Sequence, residues 1–245
     1  NLTVCERGLW HKKQRKEAKK IHMENAKISN LYDLDQTIAK EYLEQFTYPW
    51  EALEGISDFI KKLGPTLDPE KYEQRGEDIW VAKSAKVAPT ACLNGPLIID
   101  EDAEVRHCAF VRGSAIVGKG SVVGNSTELK NDIIFNCVQV PHYNYVGDSI
   151  LGYKSHMGAG SITSNVKSDK TLVVVKDKST GEEIATGRKK FGAMLGDYVE
   201  VGCNSVLNPG TVIGSHTNVY PLSCVRGVVP ANSIYKKGNE IVQKK

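Results

Sequence analysis

Residues 87–225 carry an aliphatic or aromatic side chain at every sixth position over two long blocks, and this period constrains the fold more than any other feature of the sequence. A period of six fits neither an α-helix nor a series of hairpins. It is typical of a β-solenoid, in which three short strands make one coil of about 18 residues. The first block of these positions is Val87, Leu93, Ile99, Val105, Val111, Val117, Val123, Leu129 and Phe135, and the second is Leu195, Val201, Leu207, Ile213, Val219 and Val225.

The residue two places before each of these positions is mostly small, as at Ala103, Ala109 and Ser205. In a triangular coil the large residue points inward and fills the prism, whereas the small one lies at a corner where a bulky side chain would clash. Each coil hydrogen-bonds to the next, so that no coil is stable alone. We therefore predict an all-β fold, a parallel β-helix over residues 76–235.

Residues 23–75 follow a helical period instead, which predicts a helical linker segment. A first helix is expected from Asn30, and a second from Pro49 to the stop signal at Gly64. We expect Trp50 and Phe59 to lie in the core rather than against a ligand. The apolar series of the first helix is Leu31, Leu34, Ile38 and Tyr42, and that of the second is Trp50, Leu53, Ile56, Ile60 and Leu63.

The period of six is interrupted by an inserted loop near residues 165–190. An apolar run at 172–175, a turn and a polar run predict a hairpin that projects from the solenoid. Insertions in repeat proteins often cluster on the binding face, so this loop is a candidate part of the site. The alternative is a flexible insertion that has no function.

The formal net charge of +3 does not belong to the body of the chain. Residues 1–22 hold seven Lys and Arg against two Glu, which leaves 25 cations and 27 anions in the remainder. The body therefore gives no electrostatic reason to expect nucleic-acid binding. The basic leader at 1–22 is either a surface helix or an upstream segment foreign to the protein, with the natural start at Met23. A short basic tail is expected at 236–245.

The six cysteines are scattered without a Cys-x-x-Cys pair, which argues against a zinc knuckle and a compact disulfide framework. A reduced, cytoplasmic protein is the simplest interpretation. No apolar run approaches the ~18 residues of a membrane-spanning helix, and residues 1–22 lack the apolar core of a signal peptide.

Three short motifs lie between the two blocks, where polar and aromatic side chains replace the small-and-aliphatic rule. His142 is the best candidate base, because an imidazole ordinarily titrates near neutral pH. For a lone histidine a structural role is the more common alternative. Tyr145 lies three residues later, on the other side of an ideal strand, and a kink at Pro141 is a candidate for bringing both side chains to one cleft. The motifs are Glu128-Leu-Lys130, the segment from His142 to Asp148, and the segment from Gly158 to Asn165.

With these motifs, residues 76–235 resemble the left-handed β-helix acyltransferases. They are most similar to the acetyltransferase domain of the bifunctional N-acetylglucosamine-1-phosphate uridylyltransferases and related two-domain sugar-phosphate nucleotidylyltransferases. The resemblance implies left-handed winding, an exception to the usual right-handed crossover. It further implies a homotrimer that transfers an acetyl group from acetyl-CoA to a hexosamine 1-phosphate, in the synthesis of nucleotide sugars such as UDP-N-acetylglucosamine.

The resemblance assigns roles on the acceptor side. It implies that His142 takes a proton from the sugar amine and that Arg112 and Lys130 hold the sugar phosphate. Tyr145 and Asn165 match positions that contact the sugar. A further cation is expected from the inserted loop, at Lys167 or Lys170.

On the donor side, the resemblance implies that the backbone N–H of Ala159 meets the thioester oxygen of acetyl-CoA. Three departures from the family pattern put acceptor identity and efficiency in doubt. His156 stands near the base where the family usually has Asn, and Cys203 and Pro221 stand near the cofactor where Ser and Ala are common.

Four other expectations concern a nucleotidyltransferase signature, the linker, a metal site and a non-catalytic role. Residues 1–78 lack a Gly-rich nucleotidyltransferase signature, so no uridylyl transfer is expected. The Pro49-Trp50 segment resembles the one that joins the two halves of the two-domain relatives. A γ-class carbonic anhydrase would bind zinc through three histidines, but the spacing of the histidines here is not that family's, and no metal is expected. A non-catalytic trimeric scaffold or sugar-nucleotide binder remains the main alternative.

Overall fold

The structure, a computed structural model, describes residues 23–244. The predicted basic leader at 1–22 lies outside them. Parallel strands stack into a β-helix from Ile79 to Tyr235, preceded by a helical segment and interrupted by an inserted hairpin. The predicted parallel β-helix with its two additions is confirmed.

Twenty-five strands can be followed through the described part of the chain, most of them only two to four residues long. In chain order they are β1 (Tyr72–Gly76), β2 (Ile79–Ala82), β3 (Lys86–Val87), β4 (Cys92–Leu93), β5 (Leu97–Ile99), β6 (Glu104–Val105), β7 (Phe110–Val111), β8 (Ala115–Val117), β9 (Val122–Asn125), β10 (Glu128–Ile134), β11 (Gln139–His142), β12 (Tyr145–Leu151), β13 (His156–Met157), β14 (Ile162–Thr163), β15 (Val174–Asp177), β16 (Glu182–Ala185), β17 (Ala193–Leu195), β18 (Glu200–Val201), β19 (Val206–Leu207), β20 (Thr211–Ile213), β21 (Asn218–Val219), β22 (Cys224–Val225), β23 (Val228–Val229), β24 (Ser233–Tyr235) and β25 (Ile241–Gln243).

The solenoid has three faces. Face I is a nine-stranded sheet that runs from β3 to β25. Faces II and III form one 14-stranded sheet, because β10 and β12 are seven residues long and bend around the corner between them. Face II contains β4, β7, β14, β19 and β22, and face III contains β1, β2, β5, β8, β17, β20 and β23.

The parallel register shows the length of each coil. Val87 pairs with Val105, which pairs with Val123, so that these coils take 18 residues. Val123 pairs with Val140, so that the next coil is one residue shorter, and the coil after it is equally short, because Gln139 pairs with His156. The stretch between the two sequence blocks is therefore solenoid as well, in a shifted period.

Because of the first shorter coil, the expected inward position of Phe135 is wrong. Ile134, rather than Phe135, pairs with the interior residue Val117. Phe135 is buried outside the prism instead, where its ring lies 5.1 Å from that of Tyr32 in the helical segment.

Face III is apolar on its outer side as well as its inner side. The middle residues of its strands are paired from coil to coil and are almost entirely buried. A strand that is buried on both surfaces cannot follow the polar–apolar alternation of an exposed sheet. The helical segment covers much of this outer ladder, whose members are Trp80, Ile98, Ile116, Ile133, Ile150, Met194, Val212 and Val228.

The helical segment is more broken than the sequence predicts. The expected long helix from Asn30 is wrong, because the backbone groups of Asp33 and Gln36 bond to the solenoid instead of continuing a helix. None of the described helices has the length and apolarity needed to cross a membrane. The α-helices are α1 (Ile28–Leu31), α2 (Lys40–Leu43) and α3 (Ile56–Leu63), and 3-10 helices form at Glu24–Ala26, Leu34–Gln36, Pro49–Glu54, Gly64–Thr66 and Lys237–Asn239.

The insertion forms the predicted hairpin from β15 and β16, which pair antiparallel. It is docked rather than free, since Val173 and Val175 are buried and Asn25 donates a hydrogen bond to Asp177. Within the predicted tail, β25 pairs antiparallel with β24.

Asp197 joins the helical segment to the solenoid. Its nearly buried carboxylate accepts hydrogen bonds from the N–H of Asp33 at 2.6 Å and of Tyr153 at 2.8 Å, and its own N–H donates to the carbonyl of Leu31. Burial raises the pKa of Asp197 from 3.8 to about 6. Because the folded state binds this proton more tightly than the unfolded state, the stability linked to it is present at low pH and is lost as the pH rises toward 6.

We predict that Asp197→Asn removes this pH dependence. Between pH 4 and pH 6 the wild type loses roughly 2–3 kcal/mol of unfolding free energy relative to the variant, at about 1.4 kcal/mol per unit of pKa shift. Urea denaturation at several pH values measures the difference. Asp102→Asn, at an exposed corner, is the control, and wild-type and Asp197→Asn profiles that run parallel contradict the prediction.

Candidate active site

Four of the predicted site residues form a single ladder along the corner between faces I and II. The N–H of Gly160 donates to the carbonyl of His142, the N–H of Asn204 donates to that of Ala159, and the N–H of Leu222 donates to that of Cys203. These bonds stack four residues on successive coils: His142, Ala159, Cys203 and Pro221. We call this set the histidine corner.

His142 is exposed on a rigid support. Its backbone N–H donates to the side chain of Asn144, whose buried amide donates to the carbonyls of Gly158 and Ser161. No hydrogen bond to the imidazole is found within residues 23–244. Both ring nitrogens are therefore available to a ligand.

The turn between His142 and Tyr145 lies at Tyr143, which has a φ of +52°. The kink expected at Pro141 is wrong, because Pro141 is an ordinary member of β11. His142 ends face I and Tyr145 begins face II, so that the two side chains sit on either side of a corner.

A second corner, between faces II and III, is built around a buried carboxylate. Asp148 is 3% exposed and accepts hydrogen bonds from the Lys130 ammonium at 2.9 and 3.0 Å, from Asn131 at 3.0 Å and from Asn165 at 2.6 Å. Asn131, Asp148 and Asn165 stand on successive coils, and we call them the aspartate corner. Asn131 also donates to the carbonyl of Leu53, which ties the corner to the helical segment.

Burial raises the pKa of two titratable groups beside this corner. Burial, with the charge of Asp148 nearby, raises the pKa of Asp132 well above its usual range. Burial, with the charges of Asp132 and Asp148, likewise raises the pKa of Tyr145. The Tyr145 ring lies over Gly147, where an added Cβ would stand 2.5 Å from the hydroxyl. The Tyr145 hydroxyl is therefore a hydrogen-bond donor that lies between the histidine corner and the aspartate corner.

An open groove of about 460 Å³ lies where the aspartate corner, the helical segment and the base of the hairpin meet. Arg112 pairs with Glu128 at 2.9 Å beside it. Four cations line this groove: Arg112, Lys130, Arg188 and Lys190.

Two predicted contact residues lie elsewhere. His156 is on face I, where its Nδ1 is 2.8 Å from the carboxylate of Glu200. Lys170 is exposed in the insertion and does not line the groove. In the described part of the chain, no three His, Cys, Asp or Glu side chains converge as metal ligands.

The sequence interpretation missed Arg188, Lys190 and Asn131. The first two belong to the run Arg188-Lys-Lys190 that ends the insertion. A cationic run at the point where a repeat resumes is a signal that could have found them, because the returning chain must pass beside the coil that it left.

Comparison with known proteins identifies the family. The model of the GMPPB C-terminal domain matches residues 93–237, more than half of the chain. The chain belongs to this family.

The predicted likeness to two-domain sugar-phosphate proteins is confirmed. The bifunctional protein GlmU of Methanococcus maripaludis is 30% identical over an alignment of 265 positions, which covers all of this chain and 57% of that protein. A bifunctional sugar-1-phosphate nucleotidylyltransferase/acetyltransferase of Sulfurisphaera tokodaii is 32% identical over 59% of this chain and 40% of its own length. The chain thus spans about half the length of these relatives.

Among solved structures, the polysialic acid-specific acetyltransferase NeuO is 18% identical with a TM-score of 0.45. The match covers 67% of this chain and 77% of that one.

We predict that Asp148→Asn destabilises the fold by about 3 kcal/mol, because it leaves the partly buried Lys130 ammonium without its counter-charge. Adding Lys130→Met recovers part of this loss. Equilibrium denaturation measures the free energy of unfolding of each variant.

The matched control is Glu128→Gln, which breaks the more exposed ion pair with Arg112. Exposed pairs contribute less than about 1 kcal/mol, so little change is expected. Equal losses for Asp148→Asn and Glu128→Gln refute a structural role of the aspartate corner.

Proposed function

We propose that this protein is an acetyl-CoA-dependent N-acetyltransferase acting on a hexosamine 1-phosphate in amino-sugar nucleotide synthesis. The observation that carries the proposal is the ladder of the histidine corner, which sets a free imidazole next to Ala159 on the adjoining coil. The relative from Sulfurisphaera tokodaii, which is named as a sugar-1-phosphate nucleotidylyltransferase/acetyltransferase, supports the reaction type.

In the proposed reaction, the sugar amine attacks the thioester carbonyl directly. The new N–C bond gives a tetrahedral oxyanion, and its collapse breaks the C–S bond. His142 accepts the proton that the nitrogen loses and passes it to the departing thiolate. The backbone N–H of Ala159 has no hydrogen-bond partner among the described residues, which leaves it available to stabilise the oxyanion. No acyl-enzyme is required.

The acceptor would span from one corner to the other. The strand from Tyr145 to Asp148 covers roughly 10 Å, at about 3.3 Å per residue. Long side chains at either end shorten this gap to the reach of one sugar phosphate. We propose that Tyr145 and Asn165 contact the sugar and that the phosphate lies in the cationic groove, near Arg112 and Lys130.

The donor would follow the histidine corner away from Ala159. Cys203 and Pro221 are exposed on the next two coils along this path. Pro221 has no N–H, so the pantetheine arm lacks one backbone donor that another residue there would provide.

Assembly and location are also proposals. A homotrimer would enclose the exposed His142 between neighbouring solenoids and exclude water from the reaction. The described cysteines are free thiols, which supports a reducing, cytoplasmic compartment.

We predict that His142→Ala lowers kcat by about 100-fold or more with little change in the KM for the sugar, since a general base contributes about 10²–10⁴. Thiol release from acetyl-CoA with glucosamine 1-phosphate measures the rate. His107→Ala is the matched control, because His107 is exposed on the same edge of the solenoid two coils earlier.

Absence of thiol release by the wild type with any amino-sugar phosphate rejects the enzyme proposal. Binding of the sugar phosphate without release would favour the non-catalytic scaffold or binder.

A further inference from the structure

The four cations of the groove are not equivalent, because two of them are already engaged. The Lys130 ammonium contacts both carboxylate oxygens of Asp148, and Arg112 donates to Glu128 at 2.9 Å. A phosphate that bound these two side chains would compete with carboxylates that are already in place.

Arg188 differs from both. Its Nε is buried and has no hydrogen-bond partner among the described residues. Its nearest carboxylate is that of Glu54, 3.8 Å from Nη1 and 92% exposed. A buried donor without an acceptor is unfavourable, and a solvated carboxylate at this distance compensates little of it. The Nη groups of Arg188, which make no hydrogen bond to another described residue, are the donors that remain for a ligand in the groove.

The hairpin fixes Arg188 beside the groove. The N–H of Arg188 donates to the Thr186 hydroxyl, and its carbonyl accepts from the N–H of Val173. Two residues later, Lys190 bridges to Val166 and closes the base of the insertion. The position of the guanidinium is thus set by backbone contacts rather than by a mobile loop.

We infer that Arg188, assisted by Lys190, is a further phosphate-recognition residue for the acceptor, in addition to Arg112 and Lys130. This inference rests on the proposed function for the identity of the acceptor. A guanidinium presents parallel N–H donors that match two oxygens of one phosphoryl group. Lys190 is exposed and makes no ion pair with any other described residue, so it can add charge without losing a partner. Recognition of the phosphate then comes from the insertion as well as from the repeat.

The test measures binding without catalysis. Glucosamine 1-phosphate is titrated into the protein by calorimetry in the absence of acetyl donor, for the wild type and for Arg188→Gln, Arg188→Lys and Arg112→Gln. Lys189→Gln is the matched control, because Lys189 is exposed and does not line the groove. Thermal unfolding verifies that each variant is folded.

We expect Arg188→Gln to weaken binding by about 10- to 100-fold, as for loss of a charge-assisted contact. Arg188→Lys recovers only part of it, because an ammonium cannot form the bidentate contact. Arg112→Gln also weakens binding, and Lys189→Gln changes the affinity less than twofold. Affinity for glucosamine, which has no phosphate, is the same in the wild type and in Arg188→Gln.

A loss for Arg188→Gln no larger than that for Lys189→Gln overturns the inference, as does a wild type that does not bind the sugar phosphate. Failure of the proposed reaction is distinguishable, since it would abolish thiol release and leave the pattern of binding affinities intact.

Discussion

Everything in this protein depends on the in-register stacking of one coil on the next. Parallel hydrogen bonding places residues 17 or 18 positions apart in contact, so each position in a coil becomes a ladder along the solenoid. Inward ladders fill the prism and the outer ladder of face III carries the helical segment. At the corners the chain turns, and backbone groups and long side chains are left free to meet a ligand. The proposed chemistry therefore lies along two corners, separated by the strand that begins at Tyr145.

The solenoid could be predicted from the sequence because packing inside the coils requires a large inward residue and a small corner residue at regular spacing. The sequence was also sufficient to bring His142, Ala159, Cys203 and Pro221 into one set, although by resemblance rather than by register. The stacking explains why these four belong together: each follows the last by one coil. The hairpin could likewise be predicted, since an apolar run and a polar run on either side of a turn are typical of two paired strands.

Some predictions were wrong or incomplete for physical reasons that the sequence period does not reveal. Two successive coils are a residue shorter, which moved Phe135 out of the prism and hid the repeat that continues beyond it. The first predicted helix is broken because its backbone bonds to Asp197 and Asn136 on the solenoid. The sequence did not identify Arg188 and Lys190, because their proposed role depends on the place where the insertion rejoins the solenoid. The apolar middle residues of face III, such as Ile98 and Ile116, did hold a readable signal for a covered outer surface.

The central claim is that a single acceptor bridges the two corners, with its amine at His142 and its phosphate at the hairpin base. A crystal structure with glucosamine 1-phosphate and CoA tests it most directly. The account predicts the amine within hydrogen-bond distance of the His142 imidazole, the phosphate on the Arg188 guanidinium, and the CoA sulfur beside the N–H of Ala159. A sugar phosphate bound away from the strand between the corners, or one whose amine faces away from His142, would contradict it.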